Sequence, residues 1–449
     1  MPLINEVPVL ESGGVWLPFE EETSYTYNEL KFYKDQSVNI ETTVQFDNTG
    51  VLILDNGIIS NNGVTTNDQL KFLTELTWWT SNKMRPAVIS NALNQCLHLF
   101  NVSDVKYTPG TCLNLYCDWS NWNVAHFLLD IGTKLHVTNN THDLNIHQFD
   151  YVCLPELRFD IAKQVVEQLQ LPPEKIITHT LSNSYNFDKV YTPSLNGKTR
   201  FYRKNYFNTI NNLFNRSTTH KQRYFIMRGE TGRNIFNIQQ VKDVLDKYSF
   251  KVIDFKTSID IVSLMREASI VVSAHGAGLS NMVFCHPETV LIEFIPEFYI
   301  EPYYYSLAYS KEFIYYGIVC KDSFHTSPPD INISFTPCAE KSFIVDVALF
   351  EDVLNEAIQN IDSKNKVYTY STPVDTPPIS VPVDTLIVDT PPISVPVISG
   401  TNTQSDSLLT TLTLSSNTTS VDERAPVVNN RLSFNVDIKT FKKIKKLKK

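Results

Sequence analysis

Short apolar runs alternate with amphipathic segments from about residue 119 onward. Apolar runs of about four to eight residues predict strands, and apolar positions three or four apart predict helices. The predicted strands are 151–154, 175–178, 223–227, 250–255, 269–274, 289–295 and 313–319, and the predicted helices are 119–135, 159–169, 234–248 and 258–267. This alternation is typical of an α/β fold with a parallel sheet that is covered on both faces.

The first hundred residues carry a weaker pattern. Residues 38–46 alternate as in a strand, and residues 51–59 predict a strand that is interrupted at Asn56 and Gly57. Trp78 and Trp79 predict a packed interior. We therefore expect folded structure before residue 119.

The pattern ends near residue 362. Residues 371–433 contain no Phe, Trp or Tyr, and the sequence VDTPPISVPV at 374–383 recurs at 388–397. Pro-rich repeats with Ser and Thr bury too little apolar surface to offset the entropy of ordering, so residues 363–438 predict a disordered linker, either passive or a docking site.

A Lys-rich tail, residues 439–449, follows the linker and contains seven Lys. Phe441, Ile444 and Leu447 lie three residues apart in it, which as a helix gives a narrow apolar strip suited to peripheral contact with an anionic membrane. A solvated tail is an equal alternative, and a nuclear-import or nucleic-acid signal is a weaker one.

Composition narrows the class of protein. The chain has 449 residues, and its formal charge is −9 in spite of the Lys-rich tail. An acidic body is a poor general binder of nucleic acid, because phosphate backbones require clustered cations. The seven Cys are scattered and form no paired metal-binding motif, and neither a signal peptide nor an apolar span is evident. We expect a cytoplasmic protein without a specific nucleic-acid partner.

Glycine is scarce, with 14 residues in the chain, and four of these follow predicted strands: Gly229, Gly232, Gly276 and Gly278. Ligands of parallel sheets bind at the carboxyl ends of strands. Residues 270–284, IVVSAHGAGLSNMVF, predict a strand, a glycine turn and a short helix, and the amides of such a turn attract phosphate. Arg228 and Arg233 bracket the other two glycines and could clamp a diphosphate.

The glycine turn has three other interpretations. The turn could require Gly for its geometry alone. A dinucleotide fingerprint requires a third Gly, but Asn281 stands there, and Pro287 closes the helix early. The oxyanion loop of an α/β-hydrolase requires a GxSxG motif further along the chain, and the sequence contains none.

A second candidate site lies in the first half of the chain. His126 and Asp130 are four residues apart and share one face of the predicted helix 119–135. A histidine oriented by a carboxylate is a natural general base for a hydroxyl group. The alternative is a histidine on a packed helix surface beside a solvated Asp130.

The sequence resembles glycosyltransferase family 61, which includes plant β-1,2-xylosyltransferases and EGF-domain O-GlcNAc transferases. The resemblance rests on SAHGAGLSNMVF at 273–284 followed by TVLIEF at 289–294, on Asn123, His126 and Asp130, and on Arg228, Arg233 and Asn237. It covers about residues 115–320. The family usually has an acidic residue after the last of these Asn, where Ile238 and Gln239 stand here.

The resemblance implies a GT-B architecture, in which two Rossmann-like domains face a cleft. Residues 1–195 would form the acceptor-side domain and residues 196–362 the nucleotide-sugar-binding domain. The implied reaction is inverting transfer from a nucleotide sugar, usually a UDP-sugar, to a hydroxyl group of a glycan or glycoprotein acceptor. No Asp-x-Asp sequence occurs, so we expect neither a metal nor another cofactor.

Roles for single residues follow from the same resemblance. His126 would be the catalytic base, with Asp130 as the alternative. The residues expected to bind substrate are Asn123, Arg228, Arg233, Asn237, His275, Gly276, Ala277, Gly278, Asn281 and Glu293, with Glu293 on the ribose. Two alternatives remain: an inactive protein that binds nucleotide sugar or glycan in an assembly, motivated by Ile238, and a nucleotide-dependent oxidoreductase.

Overall fold

The computed structural model describes residues 6–7, 14–27, 30–34, 38–59, 63, 65–66, 72–73, 105–117, 119–179, 184–196, 200–214, 221–228, 232–255, 260–323 and 341–364. Trp78, Trp79 and Gly229 lie outside these residues, as do the repeats and the Lys-rich tail. The described residues belong to one compact unit, Met1–Pro378.

The strands follow one another along the whole unit. In chain order they are β1 (Glu6–Val7), β2 (Val15–Glu20), β3 (Thr23–Thr26), β4 (Lys31–Tyr33), β5 (Thr43–Phe46), β6 (Thr49–Asp55), β7 (Ile58–Ile59), β8 (Thr65–Thr66), β9 (Phe72–Leu73), β10 (Val105–Asn114), β11 (Tyr151–Pro155), β12 (Ile176–His179), β13 (Ser184–Pro193), β14 (Gln222–Ile226), β15 (Lys251–Ile253), β16 (Ala268–Ala274), β17 (Val290–Pro296), β18 (Ile314–Asp322) and β19 (Phe343–Ile344).

The helices lie mostly between strands of the parallel ladders. They are α1 (Val124–His126), α2 (Gly132–Asn140), α3 (Asp160–Gln168), α4 (Asn208–Asn212), α5 (Ile238–Lys247), α6 (Ile261–Glu267), α7 (Tyr303–Lys311) and α8 (Val347–Lys364). A π-helical turn, Phe127–Ile131, joins α1 to α2, and 3₁₀-helices occupy Ile146–Gln148, Pro173–Lys175 and Ala277–Phe284. Within the described part of the chain, no helix is long and apolar enough to cross a membrane.

The first sheet combines a parallel part with an antiparallel part. β13, β10, β11 and β12 lie side by side and are parallel, with Cys112 of β10 opposite Tyr151 of β11. β6 and β7 pair with β13 in the antiparallel direction, and β2 extends this part beyond β6. The strands of this sheet that precede β10 therefore build its antiparallel part, except that β1 lies parallel to β9.

The second sheet has the order β15-β14-β16-β17-β18-β19. Its strands from β15 to β18 are parallel, and β19 closes one edge in the antiparallel direction. All residues of β16 and β17 are buried, as is typical of central strands with helices on both faces. The prediction of an α/β fold with a parallel sheet in the second half is confirmed.

The second sheet also contains a strand from the start of the chain. β4 lies parallel to β18, with Phe32 opposite Gly317. Sequence patterns did not predict this long-range pairing. The domain boundary between residues 195 and 196 stays a prediction. Among the described elements before residue 195, β4 joins the second sheet.

The predicted helix 119–135 has different limits in the structure. Residues 119–122 form a turn in which the amides of Trp122 and Asn123 donate to the carbonyl of Trp119. Asn123 then caps α1, because its side chain accepts from the amide of Ala125 at 2.9 Å. The helical path continues to Asn140, five residues beyond the predicted end.

Candidate active site

The arginine loop and the glycine turn lie at the same edge of the second sheet. β14 and β16 are parallel neighbours, with Ile226 opposite Ser273, so the segments that follow them emerge side by side. Arg228 joins them: its Nη1 donates to the carbonyl of His275 at 2.8 Å, and its Nε donates to that of Gly232 at 2.7 Å. The adjacency expected from the sequence is therefore present.

Two guanidinium groups lie close together at this edge. Burial lowers the pKa of Arg228 to about 10, and the positive charge of Arg233 acts in the same direction. Arg233 lies over the ring of Tyr299, 4.4 Å from its centroid, and its buried Nε has no hydrogen-bond partner among the described residues. Within that part of the chain neither arginine forms a salt bridge, so the pair presents uncompensated positive charge.

Gly276 leaves room for the Arg228 side chain, which approaches the turn closely. A Cβ atom at Gly276 would lie 2.1 Å from Arg228 Nη1, although the backbone there is extended and strains no residue. A Cβ atom at Gly278 would contact Phe255 at 3.0 Å. The first hydrogen bond of the following 3₁₀-helix comes from Leu279 to the carbonyl of Gly276, so the amides of Gly276, Ala277 and Gly278 precede it at the helix N-terminus.

Asn281 lies one turn into this 3₁₀-helix and is buried. Its side-chain amide donates to the carbonyl of Gly278 at 2.9 Å, which stiffens the turn. Its Oδ1 is buried without a hydrogen-bond partner among the described residues. A buried acceptor left in this state is costly, and such atoms in native structures often face a ligand or water site.

His275 is held by a buried carboxylate. Its Nδ1 lies 2.6 Å from Oε1 of Glu293, and the Tyr315 hydroxyl donates to Oε2 at 2.7 Å. Glu293 has no exposed surface. A carboxylate that is engaged on both oxygens and is fully buried does not offer an oxygen to a ribose hydroxyl. The geometry therefore favours a positioning role for Glu293 over the expected contact with ribose.

His126 and Asp130 form a buried pair at the start of the long helical path. Nδ1 of His126 lies 2.7 Å from Oδ2 of Asp130, and both side chains are nearly buried. Asp130 lies in the π-helical turn, a feature that is frequent at functional sites. Asn123, predicted to bind substrate, caps the helix that carries this pair.

Aromatic rings connect the His126 pair with the second sheet. α1 and the π-helical turn pack against the 3₁₀-helix Ala277–Phe284. The ring of Tyr303 lies 6.3 Å from that of His126 and 6.3 Å from that of Tyr304, which in turn lies 4.9 Å from the ring of His275. The rings of Tyr303 and Tyr304 therefore link the His126 pair to His275 in the glycine turn.

Sequence patterns did not identify three tyrosines that lie beside the site: Tyr299, Tyr303 and Tyr304. Burial and the Glu293 charge raise the pKa of Tyr304, while the charges of Arg233 and Arg228 lower it, so this phenol lies within reach of all three. The run of aromatic residues in EFYIEPYYY, just beyond the carboxyl end of β17, is the signal that could have identified them.

Asn237 is committed to the protein backbone. Its side-chain nitrogen donates to the carbonyl of Val345 at 2.9 Å, and its oxygen accepts from the Val345 amide at 3.0 Å. It thereby anchors the start of α5 beside β19. This arrangement favours a structural role over the substrate contact expected for Asn237, and Ile238 and Gln239 follow it as the first residues of α5.

Among the described residues, no three His, Cys, Asp or Glu side chains are grouped to hold a metal ion. Residues 124–292 match the family model described as Glycosyltransferase 61, and no curated protein matches the chain. The matched range contains the His126 pair, both arginines and the glycine turn, and it ends one residue before Glu293. Residues 124–292 are therefore a glycosyltransferase family 61 domain, which indicates a glycosyltransferase.

Proposed function

We propose that the protein is an inverting, metal-independent glycosyltransferase that moves a sugar from a UDP-sugar to a hydroxyl group of a glycan or protein acceptor. The observation that carries this proposal is the pair Arg228 and Arg233, two close guanidinium groups at the glycine turn that form no salt bridge within the described residues. A half-buried positive charge of this kind is stabilised by a bound anion, and a diphosphate has the charge and the oxygen spacing to bind both groups.

The proposal includes the GT-B arrangement. In it, residues 1–195 bind the acceptor and residues 196–362 bind the nucleotide sugar. Each of the two sheets has parallel strands at its centre. Each also carries one half of the candidate site near the carboxyl ends of those strands, which supports this arrangement.

The reaction we propose is a single displacement. The acceptor oxygen attacks the anomeric carbon from the face opposite the diphosphate and forms the new C–O bond. The bond from that carbon to the phosphate oxygen breaks, and the nucleoside diphosphate leaves with the electron pair. His126 takes the acceptor proton on Nε2, and Asp130 at 2.7 Å from Nδ1 stabilises the resulting imidazolium.

Positive charge and backbone amides stabilise the leaving group in this mechanism. Arg228, Arg233 and the amides at Gly276, Ala277 and Gly278 supply the donors, and they are already in place before the reaction. Glu293 orients His275 beside them. Asn281 supports the turn through the hydrogen bond from its side-chain amide to the Gly278 carbonyl.

Titration with UDP tests the donor side of the proposal. Arg228→Ala is expected to weaken UDP binding by about 10- to 100-fold, the range for a charge-assisted hydrogen bond. Arg223→Ala is the matched control, because Arg223 lies near the amino end of the same strand and donates to the Tyr248 carbonyl. Equal affinity of Arg228→Ala and wild type would refute the diphosphate site.

Turnover of a panel of UDP-sugars, measured as UDP released in the presence of acceptor extract, tests the catalytic side. His126→Ala is expected to lower the rate by about 10²- to 10⁴-fold and to leave UDP affinity unchanged. The exposed His142, changed to Ala, is the control. Binding of UDP without turnover of any donor would support the inactive binding protein. A rate lost in EDTA and restored by Mn²⁺ would refute metal independence.

A further inference from the structure

An exposed tryptophan lies at the carboxyl edge of the first sheet. β10 and β11 are parallel neighbours, and the turn of residues 119–122 follows β10 while Glu156 and Arg158 follow β11. Trp122 is 55% exposed, and it directly precedes Asn123, the cap of the helix that carries His126. This is the edge of a parallel sheet at which ligands bind.

The Trp122 ring is held in place. The guanidinium of Arg158 lies 3.8 Å from the ring centroid, a stacking distance. Arg158 is itself fixed, because its Nε and Nη2 donate to one oxygen of Glu156 at 2.9 and 2.6 Å. Single exposed aromatic rings are common on protein surfaces, but an exposed ring with an ordered support is a prepared surface.

The turn that carries Trp122 has two more unusual features. Trp119 has a φ of 67°, a left-handed conformation that is rare for a bulky side chain and that occurs preferentially at functional sites. Asn121 is 1% exposed, and its Oδ1 has no hydrogen-bond partner within the described residues. The surrounding structure therefore holds this turn in a conformation that local preference does not favour.

We propose that Trp122, supported by Arg158, is the platform on which a sugar ring of the acceptor lies. A pyranose ring has a face of C–H groups that suits an aromatic ring, so the sugar would lie on the face of the Trp122 ring opposite Arg158. The inference rests on the proposed function and deepens it: the acceptor is a glycan at least two sugars long. One sugar presents its hydroxyl to His126, and its neighbour stacks on Trp122.

Binding of oligosaccharides, measured by calorimetry with the full chain in the presence of UDP, tests the platform. The probes are short oligosaccharides of xylose, glucose, N-acetylglucosamine and mannose. Trp122→Ala is expected to weaken binding of the best probe by at least about tenfold, and Trp122→Phe by less, because it retains an aromatic face. Tyr107→Ala is the matched control, since Tyr107 is 58% exposed near the amino end of β10.

The outcomes separate this inference from the proposed function. Unchanged UDP affinity in Trp122→Ala together with weaker oligosaccharide binding supports the platform. Equal binding of the best probe by Trp122→Ala and wild type overturns it, as does a wild type that binds UDP but none of the oligosaccharides. A wild type that fails to bind UDP refutes the diphosphate site instead, whichever result the oligosaccharides give.

Discussion

Gly276→Ala is the substitution that tests the site most directly. The new Cβ atom would lie 2.1 Å from Nη1 of Arg228, and ordinary van der Waals contact begins at about 3.4 Å. The guanidinium must therefore retreat by more than an ångström. Because the backbone of Gly276 is extended, alanine adds no conformational strain of its own. The substitution displaces one side chain and leaves the turn otherwise able to form.

The size of the effect follows from the bonds that Arg228 makes. Retreat breaks its hydrogen bond to the carbonyl of His275, at 2.8 Å, and moves its charge away from the diphosphate that we propose. Loss of one charge-assisted hydrogen bond costs about 1.5–3 kcal/mol, which corresponds to a fall in UDP affinity of about 10- to 100-fold. Isothermal titration with UDP measures this fall directly.

A double-mutant cycle shows whether the glycine acts through the arginine. If Gly276 serves to admit the Arg228 side chain, then Gly276→Ala should cost almost nothing further in an Arg228→Ala background. Full additivity of the two changes would refute this reasoning. It would mean that the glycine contributes through the backbone amides of the turn.

Two further predictions concern pH and buried charge. Burial lowers the pKa of Arg228 to about 10, and a bound diphosphate would raise it again. The contribution of Arg228 to UDP affinity is therefore complete below about pH 10 and is lost as the pH rises from that value through the higher pKa of the complex. Titrations from pH 8 to 11 should show a fall in affinity that begins near pH 10 and that Arg228→Ala lacks, and parallel profiles would contradict this. Glu293→Ala leaves His275 and the Tyr315 hydroxyl without their buried acceptor, and it should lower the free energy of unfolding, measured in urea, by roughly 2–5 kcal/mol. Glu351→Ala removes one partner of an exposed ion pair and should barely change the urea concentration at the midpoint of unfolding. Equal unfolding midpoints for the two variants would count against the buried network.

The second sheet and its strand-end loops could be predicted from the sequence because parallel strands are short, apolar and separated by helices. The positions of Arg228 and His275 follow from this rule, since strands that neighbour each other in a parallel ladder end at one edge. The prediction needed the order of the strands but no side-chain detail. The contact between the two loops is therefore a property of the topology.

The roles of Glu293 and Asn237 could not be predicted in the same way. Both stand where the sequence places ligand-binding residues, yet one is fully buried against His275 and the other is bound to the backbone of Val345. A sequence pattern gives the position of a polar residue along its element. Whether that residue faces solvent or a partner depends on contacts with distant residues, such as Tyr315, that the pattern does not contain.

The pairing of β4 with β18 sets the limits within which this enzyme can be cut for expression. A fragment that begins at the start of the family match and keeps the rest of the chain would lack Lys31–Tyr33 and would expose the hydrogen-bonding edge of β18, which invites aggregation through strand pairing. The same argument predicts that proteolytic nicking just after Tyr33 releases a segment that the remaining protein needs for solubility. Plasmids for crystallisation should therefore retain residues 31–33, even though these lie about ninety positions before the matched region.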